Sequence, residues 1–263
     1  MINMRILKSP ILNPPCSGWK QDFPSPTAQP QKKPCTSLLN SNYCNNIYLE
    51  VSRHSLNMRW LLIPFIIPIL VTFPIYIPGI ILSSWNMGNL ELFLGGIFCL
   101  ACGVWSIACV TRYLISPPRD EPIRFNYARQ KIYAYNFDMC WWNPFIPWPI
   151  KVVTYDWAQV RAERWRKQGT TLQGSHIVKV GIMLSIVEPG TNNVIDRFSL
   201  SNINDDESIW AYICTYMQHG SSAVPTPPPG PDHNNPPSYQ LIQRLSQKVK
   251  WPTGIDLESR TAP

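Results

Sequence analysis

Three groupings of side chains carry the types and spacings that chemistry needs. Cys99-x-x-Cys102 has the spacing of a redox or metal pair. No second pair or neighbouring histidine accompanies it, and its surroundings are continuously apolar, so small-residue helix packing is the favoured reading. Arg161, Arg164, Arg166 and Lys167 form the densest basic cluster in the chain. Such a cluster suits anionic lipid headgroups or an acidic protein partner. Its plainer reading is a solvated strand end, partly neutralised by Glu163. Asp205, Asp206 and Glu207 offer carboxylates to a cation, but three acids at a helix start are better explained by the positive end of the helix dipole. The four histidines, His54, His176, His219 and His233, fall in an arm, a strand start, a helix end and a linker. There is no H-E-x-x-H, no G-x-S-x-G and no phosphate-cradling glycine loop. Catalysis needs convergent groups, and none is offered, so no catalytic residue, cofactor or metal is expected and the chain reads as non-enzymatic. No nucleic-acid motif accompanies the basic cluster, so nucleic acid is not an expected partner.

The elements around these residues are organised by two apolar runs. Trp60–Leu82 holds no charged residue, and Leu92–Val110 holds none, with Glu91 just before it. At ~1.5 Å per residue, each run is long enough for a hydrocarbon core of about 30 Å. The pattern predicts a transmembrane helical hairpin over residues 59–116, with Trp60 and Trp85 as membrane-interface anchors. Pro64, Pro68, Pro74 and Pro78 predict a bent first helix. It is read as a kinked anchor rather than a gate, because neither run holds an ionisable group to mark an ion path. Gly95, Cys99 and Gly103 repeat every fourth residue and form a helix-packing stripe, which serves either the first span or another copy of the chain as a homo-oligomer. The link Ser83–Asn89 has no Lys or Arg, whereas basic residues flank both outer ends. Both termini are therefore expected in the cytoplasm, with the lipid bilayer as a partner.

The chain has 263 residues, 27 of them Pro, and a net charge of +7. With no apolar run before Trp60, a cleaved secretory signal is not expected. Residues 1–58 read as an extended Pro- and Asn-rich arm, with Tyr48–Val51 as a short strand or docking segment. From 117 to 220 the pattern alternates and predicts a cytoplasmic α+β domain. Ile123–Phe125 and Lys131–Phe137 form a hairpin, followed by strands over Lys151–Tyr155, Gln159–Lys167, His176–Val187 and Val194–Leu200. Between them, Cys140–Pro149 is a Trp- and Pro-rich loop that either dips into a membrane interface or covers the domain's own core. A closing helix is capped by Asn204, carries the stripe Ile209, Tyr212, Ile213 and Tyr216, and stops at Gly220. The expected fold is an α+β membrane protein: a two-helix transmembrane hairpin, then an antiparallel β-sheet closed by one C-terminal helix. Its shape is that of a pleckstrin-homology-like roll or another small α+β domain. Residues 221–263 read as a proline-rich linker and loose tail, with a short helix within Tyr239–Lys250.

Several strings resemble an uncharacterised bacterial family. They are Pro14-Pro15-Cys16-Ser17-Gly18-Trp19, Pro118-Arg119-Asp120-Glu121-Pro122-Ile123-Arg124-Phe125-Asn126, Trp141-Trp142-Asn143-Pro144-Phe145, Tyr155-Asp156-Trp157-Ala158 with Val160-Arg161-Ala162-Glu163, and Trp210–Met217. The resemblance implies a multi-pass, two-span protein of the bacterial inner membrane with a domain of unknown function, of the kind found near type VI secretion or Rhs polymorphic-toxin loci. It implies a role in interbacterial competition, as immunity or accessory protein, with a toxin or secretion component as partner. It carries over no catalytic residue. The alternative is a membrane-permeabilising effector acting through the proline-kinked hairpin.

Overall fold

The computed structural model describes residues 9–29, 32–35, 41–53, 63–170, 174–201, 207–228, 230, 232–238 and 240–263. Among them run β1 (Trp19–Asp22), β2 (Ser41–Cys44), β3 (Tyr48–Val51), α1 (Ile63–Asn86), α2 (Leu90–Ile115), β4 (Ile123–Asn126), β5 (Lys131–Phe137), β6 (Ile150–Asp156), β7 (Val160–Thr170), β8 (His176–Val187), β9 (Val194–Ser201), α3 (Glu207–His219), α4 (Leu241–Leu245) and α5 (Thr253–Arg260). The architecture is α+β with two antiparallel sheets where the alternation predicts one. The sheet orders are β2-β3-β4-β5-β6 and β1-β7-β8-β9. A single 3-10 turn, Trp157–Gln159, carries the chain from β6 in one sheet to β7 in the other.

Period-two alternation aims Leu49, Val51, Ile123, Phe125, Ile132 and Ala134 inward from the first sheet. Ile182, Leu184, Ile186 and Leu200 meet them from the second, and the apolar stripe of α3 closes the same core. Gly220 ends α3 as expected: its φ of +80° is a left-handed geometry that favours glycine, and its N–H donates to Tyr216 O at 2.8 Å. The expected cap residues Asn204, Asp205 and Asp206 lie outside the described residues. In β8 the predicted apolar face is buried at Ile182, Leu184 and Ile186 but exposed at Val178. β1 pairs with β7 no further than Trp165, and β9 pairs with β8 no further than Ile182. The outer halves of β7 and β8 therefore project as a two-stranded ribbon.

The N-terminal arm is extended but not loose. It supplies β1 to one sheet and β2 and β3 to the other. Gly18 (φ +80°) passes so close to β7 that a Cβ there would lie 2.7 Å from Arg166 O. The C-terminal tail is also tied down. α5 packs along β4, and the short helix expected within Tyr239–Lys250 is the single turn and a half of α4.

α1 and α2 are antiparallel and packed together, joined by Met87–Asn89. Asn89 caps α2 by accepting the Leu92 N–H at 3.1 Å. Among the described residues α2 is the one helix long and apolar enough to cross a membrane, by length and composition. Pro68, Pro74 and Pro78 lie inside α1. The pair is an insertion between hydrogen-bonded neighbours: β3 ends at Val51, whose partner across the ladder is Ile123, where β4 begins. The strands on either side of the helix pair are thus ladder neighbours.

Candidate functional site

The last turn of α2 carries Arg112. Its guanidinium donates to Pro144 O and lies over the Trp148 ring at 5.3 Å. This places the Trp-rich loop after β5 at the C-terminal end of α2. The loop is closed at its base, where Asp138 N donates to Pro149 O at 3.0 Å and Asp138 pairs with Lys151 at 2.5 Å. Inside it, Trp148 Nε1 donates to Asn143 O at 3.1 Å, and the Trp148 ring packs edge-on against Phe137 at 6.1 Å. Trp148 is therefore an internal strut. Trp141, Trp142 and Phe145 point away, at 70%, 58% and 71% exposure. Of the two roles read for this loop, the structure leaves these side chains outside the core.

α4 reaches the same end of α2 from the far end of the chain. Arg119, four residues beyond α2, donates to Ser246 O (3.1 Å), Arg244 O (2.7 Å) and Asn234 O. Its own N–H donates to Gln247 O at 2.9 Å. α4 lies beside α2 and leaves Leu241 and Leu245, one helical turn apart, exposed.

Of the stripe read for either the first span or another copy, Gly103 faces α1 while Gly95 and Cys99 do not. The seam with α1 is made by Gly96 and Gly103, both buried. A Cβ on Gly96 would meet Ile81 Cγ1 at 2.7 Å, and one on Gly103 would meet the Phe73 ring at 1.9 Å. Nothing lies within 4 Å of such an atom on Gly95, and Cys99 is exposed, as is Cys102. A seven-residue repeat keeps one face of a helix toward its neighbour over two turns better than a run of fours does. Trp85 is exposed at the end of α1, with its ring 5.2 Å from Phe93. Trp60 and His54 lie outside the described residues.

The basic cluster is contiguous in sequence but not on one surface. Alternation on β7 puts Arg161 and Lys167 on one face and Arg164 and Arg166 on the other. Arg161 donates to Ala158 O and Val160 O, both at 2.8 Å, and burial pulls its pKa down. Arg164 sits 3.9 Å from Glu207, and Lys167 lies over Trp165 at 5.8 Å. Glu163 does not neutralise this cluster. Fully buried, it accepts from Cys16 N at 2.9 Å, from Ser185 Oγ and from Arg197 Nε at 3.4 Å, and so pins the segment before β1. Burial, then the Glu163 carboxylate, pushes the Cys16 thiol up to about 12, which keeps it protonated and unreactive at neutral pH.

A cleft of about 480 Å³ opens between the outer face of the five-stranded sheet and the C-terminal segment. Arg124, 2% exposed, is its hub. It binds Glu50 at 2.6 Å, Asp256 at 2.7 Å and Ser259 Oγ at 2.7 Å, under the Trp251 ring at 4.3 Å. Asn42 Nδ2 bridges Glu50 (3.2 Å) and Asp120 (2.9 Å), and Ser52 Oγ donates to Asp120 at 2.8 Å. With Glu50, Asp120 and Asp256 each engaged, the arrangement works as a latch between sheet and tail. Glu258 completes it: hydrogen bonds from Lys131 (3.1 Å) and Tyr133 (3.0 Å) hold its carboxyl below the usual range. Among the described residues no three His, Cys, Asp or Glu gather to hold a metal.

A family model covers residues 101–238, from the middle of α2 through β4–β9 and α3 into the proline-rich segment. The chain belongs to the Family of unknown function (DUF6708). The DUF6708 region holds the aromatic loop, Arg112, Arg119, Arg124 and both faces of β7. It leaves out α1, β1–β3, α4 and α5, so the latch joins family and non-family segments. No curated protein and no solved structure matches the chain.

Sequence reasoning missed the latch and the Arg119 clamp. The acids that answer Arg124, Glu50 and Asp256, lie 74 and 132 residues away along the chain. The one available signal was local: three arginines, Arg119, Arg124 and Arg129, at five-residue intervals through strand-like sequence.

Proposed function

We propose that the chain is a non-enzymatic protein of the bacterial inner membrane. In this reading α1 and α2 form a two-span anchor, and the α+β domain binds a protein partner in the cytoplasm. The observation that carries it is the helix pair inserted between β3 and β4. If α2 crosses a bilayer, the antiparallel α1 packed beside it brings the chain through the same bilayer, and the flanking strands β3 and β4 are ladder neighbours at Val51 and Ile123. At 24 residues, α1 is about 36 Å long, enough for the crossing. The link Ser83–Asn89 then faces the periplasm and both termini face the cytoplasm.

The partner is a toxin or secretion component, and the setting is type VI secretion or toxin-linked competition, as immunity or accessory protein. The resemblance noted above supports that setting. The pleckstrin-homology-like roll read from the sequence stays part of this proposal, supported by two antiparallel sheets with α3 packed on their core, although shape alone gives no function. Purification of the tagged full chain from its native membrane in mild detergent should recover a stoichiometric partner. Repeated recovery of the chain alone would count against a binding role. Immunity and accessory roles separate in a competition between a deletion strain and its siblings: an immunity defect kills the deletion strain, whereas an accessory defect makes it a weaker attacker.

A second reading, a membrane-permeabilising effector, is favoured only by the three prolines inside α1. It requires that expression alone depolarise cells, and harmless expression removes it.

A further inference from the structure

Resting on the membrane reading above, we infer that the domain sits on the lipid interface through two apolar contacts: the tip of the loop after β5 and the exposed edge of α4. The loop presents Trp141, Trp142 and Phe145, and α4 presents Leu241 and Leu245. These two elements are about a hundred residues apart in sequence, yet both are strapped to the C-terminal end of α2. Arg112 in its last turn holds the loop through Pro144 O and the Trp148 ring. Arg119 holds α4 through Arg244 O and Ser246 O. Where α2 leaves the hydrocarbon, these side chains are the apolar groups carried beside it. Their chemistry suits that depth: tryptophan is enriched at the interface, where its apolar ring and N–H meet headgroups. Leucines one turn apart make a short apolar edge that can lie in the same plane. The loop is also rigid enough to act as a foot, since its base is closed by the Asp138–Pro149 hydrogen bond and its interior braced by Trp148.

The occupant of this surface is the bilayer itself, through continuity with α2. The domain is therefore held at a fixed height and tilt by three contacts rather than swinging on one helix.

The test uses the full chain reconstituted into vesicles of phosphatidylethanolamine and phosphatidylglycerol. An environment-sensitive fluorescent amino acid replaces Phe145 in one preparation and Glu188, in the distant β8–β9 turn, in another. Carbonate resistance of each preparation reports insertion of the helices independently of the loop. The expected result is a blue-shifted emission at 145 and several-fold stronger quenching by headgroup-region nitroxide lipid than at 188. Water-like emission at 145 in carbonate-resistant protein would overturn the inference while leaving the membrane reading standing. Emission at 145 shielded from both lipid nitroxide and aqueous quencher would also overturn it, placing protein there instead. Removal of the chain by carbonate would sink the membrane reading and the inference together. Trp141→Ser with Trp142→Ser in the probe-bearing protein should return the emission at 145 toward that at 188, and an unchanged emission would contradict the role of those two rings.

Discussion

At the residue scale, the domain is held by charged side chains that work in buried company. Arg124 is the clearest: two carboxylates and a hydroxyl engage one guanidinium beneath an indole. Removing the guanidinium leaves the half-buried Glu50 without its counter-charge, while Asp256 keeps Arg260 at 3.0 Å, so Arg124→Ala should cost about 3 kcal/mol. Chemical denaturation of the full chain in detergent measures it, and a loss within error of zero would show that the latch contributes nothing. Glu258 gives the latch a pH dependence. Its folded pKa lies below the ordinary carboxylate value of about 4.3. Its contribution is therefore complete above that value and is lost as pH falls through the folded pKa. Amide protection across Thr253–Arg260, corrected for the intrinsic exchange rate, should fall over that acidic window, and Glu258→Gln should lower the protection at neutral pH to the level of the acidic case. None of this was legible in the sequence, where Arg124 and Glu258 look like ordinary surface charges. Beyond the five-residue spacing of Arg119, Arg124 and Arg129, pairing across 74 to 132 residues leaves no trace of which acid answers which arginine.

At the scale of elements, most strands and α3 were readable, because a face that meets a core writes its period into the chain. The second sheet was not, because the turn Trp157–Gln159 changes sheets without interrupting alternation. Strands β1 and β2 were hidden by proline-rich surroundings whose composition argues for an unpaired chain. Of the stripe Gly95, Cys99 and Gly103, read for either the first span or another copy, Gly103 meets α1; the seam's other glycine, Gly96, lies seven residues before it and falls outside the four-residue spacing. That difference is testable. Gly103→Leu and Gly96→Leu should each destabilise the α1–α2 pair by about 1–3 kcal/mol through overpacking against Phe73 and Ile81. Gly95→Leu should be close to neutral, since open space surrounds it. Thermal unfolding of the three variants in one detergent orders them, and a Gly95 variant as damaged as the Gly103 variant would restore the stripe read from sequence.

At the scale of the whole molecule, the account is a domain built around the two ends of a helix pair. The chain leaves one sheet between the paired strands β3 and β4 to form the helix pair. Arg112 and Arg119 then strap a loop and a tail helix to the point where α2 returns, and the latch at Arg124 fastens the tail to the sheet's outer face. Under the proposed membrane reading, α1 and α2 are the anchor, the loop and α4 set the stance, and the β7–β8 ribbon, paired only with itself at its outer end, is a surface proposed for a partner. The most direct check of this account is a pair of reporters on the full chain in cells. Alkaline phosphatase inserted after Gly88 should be active, and a green fluorescent protein at the C-terminus should fluoresce. Inactive phosphatase at Gly88, or active phosphatase at the C-terminus, would mean that the two helices do not cross and return, contradicting the account at its root.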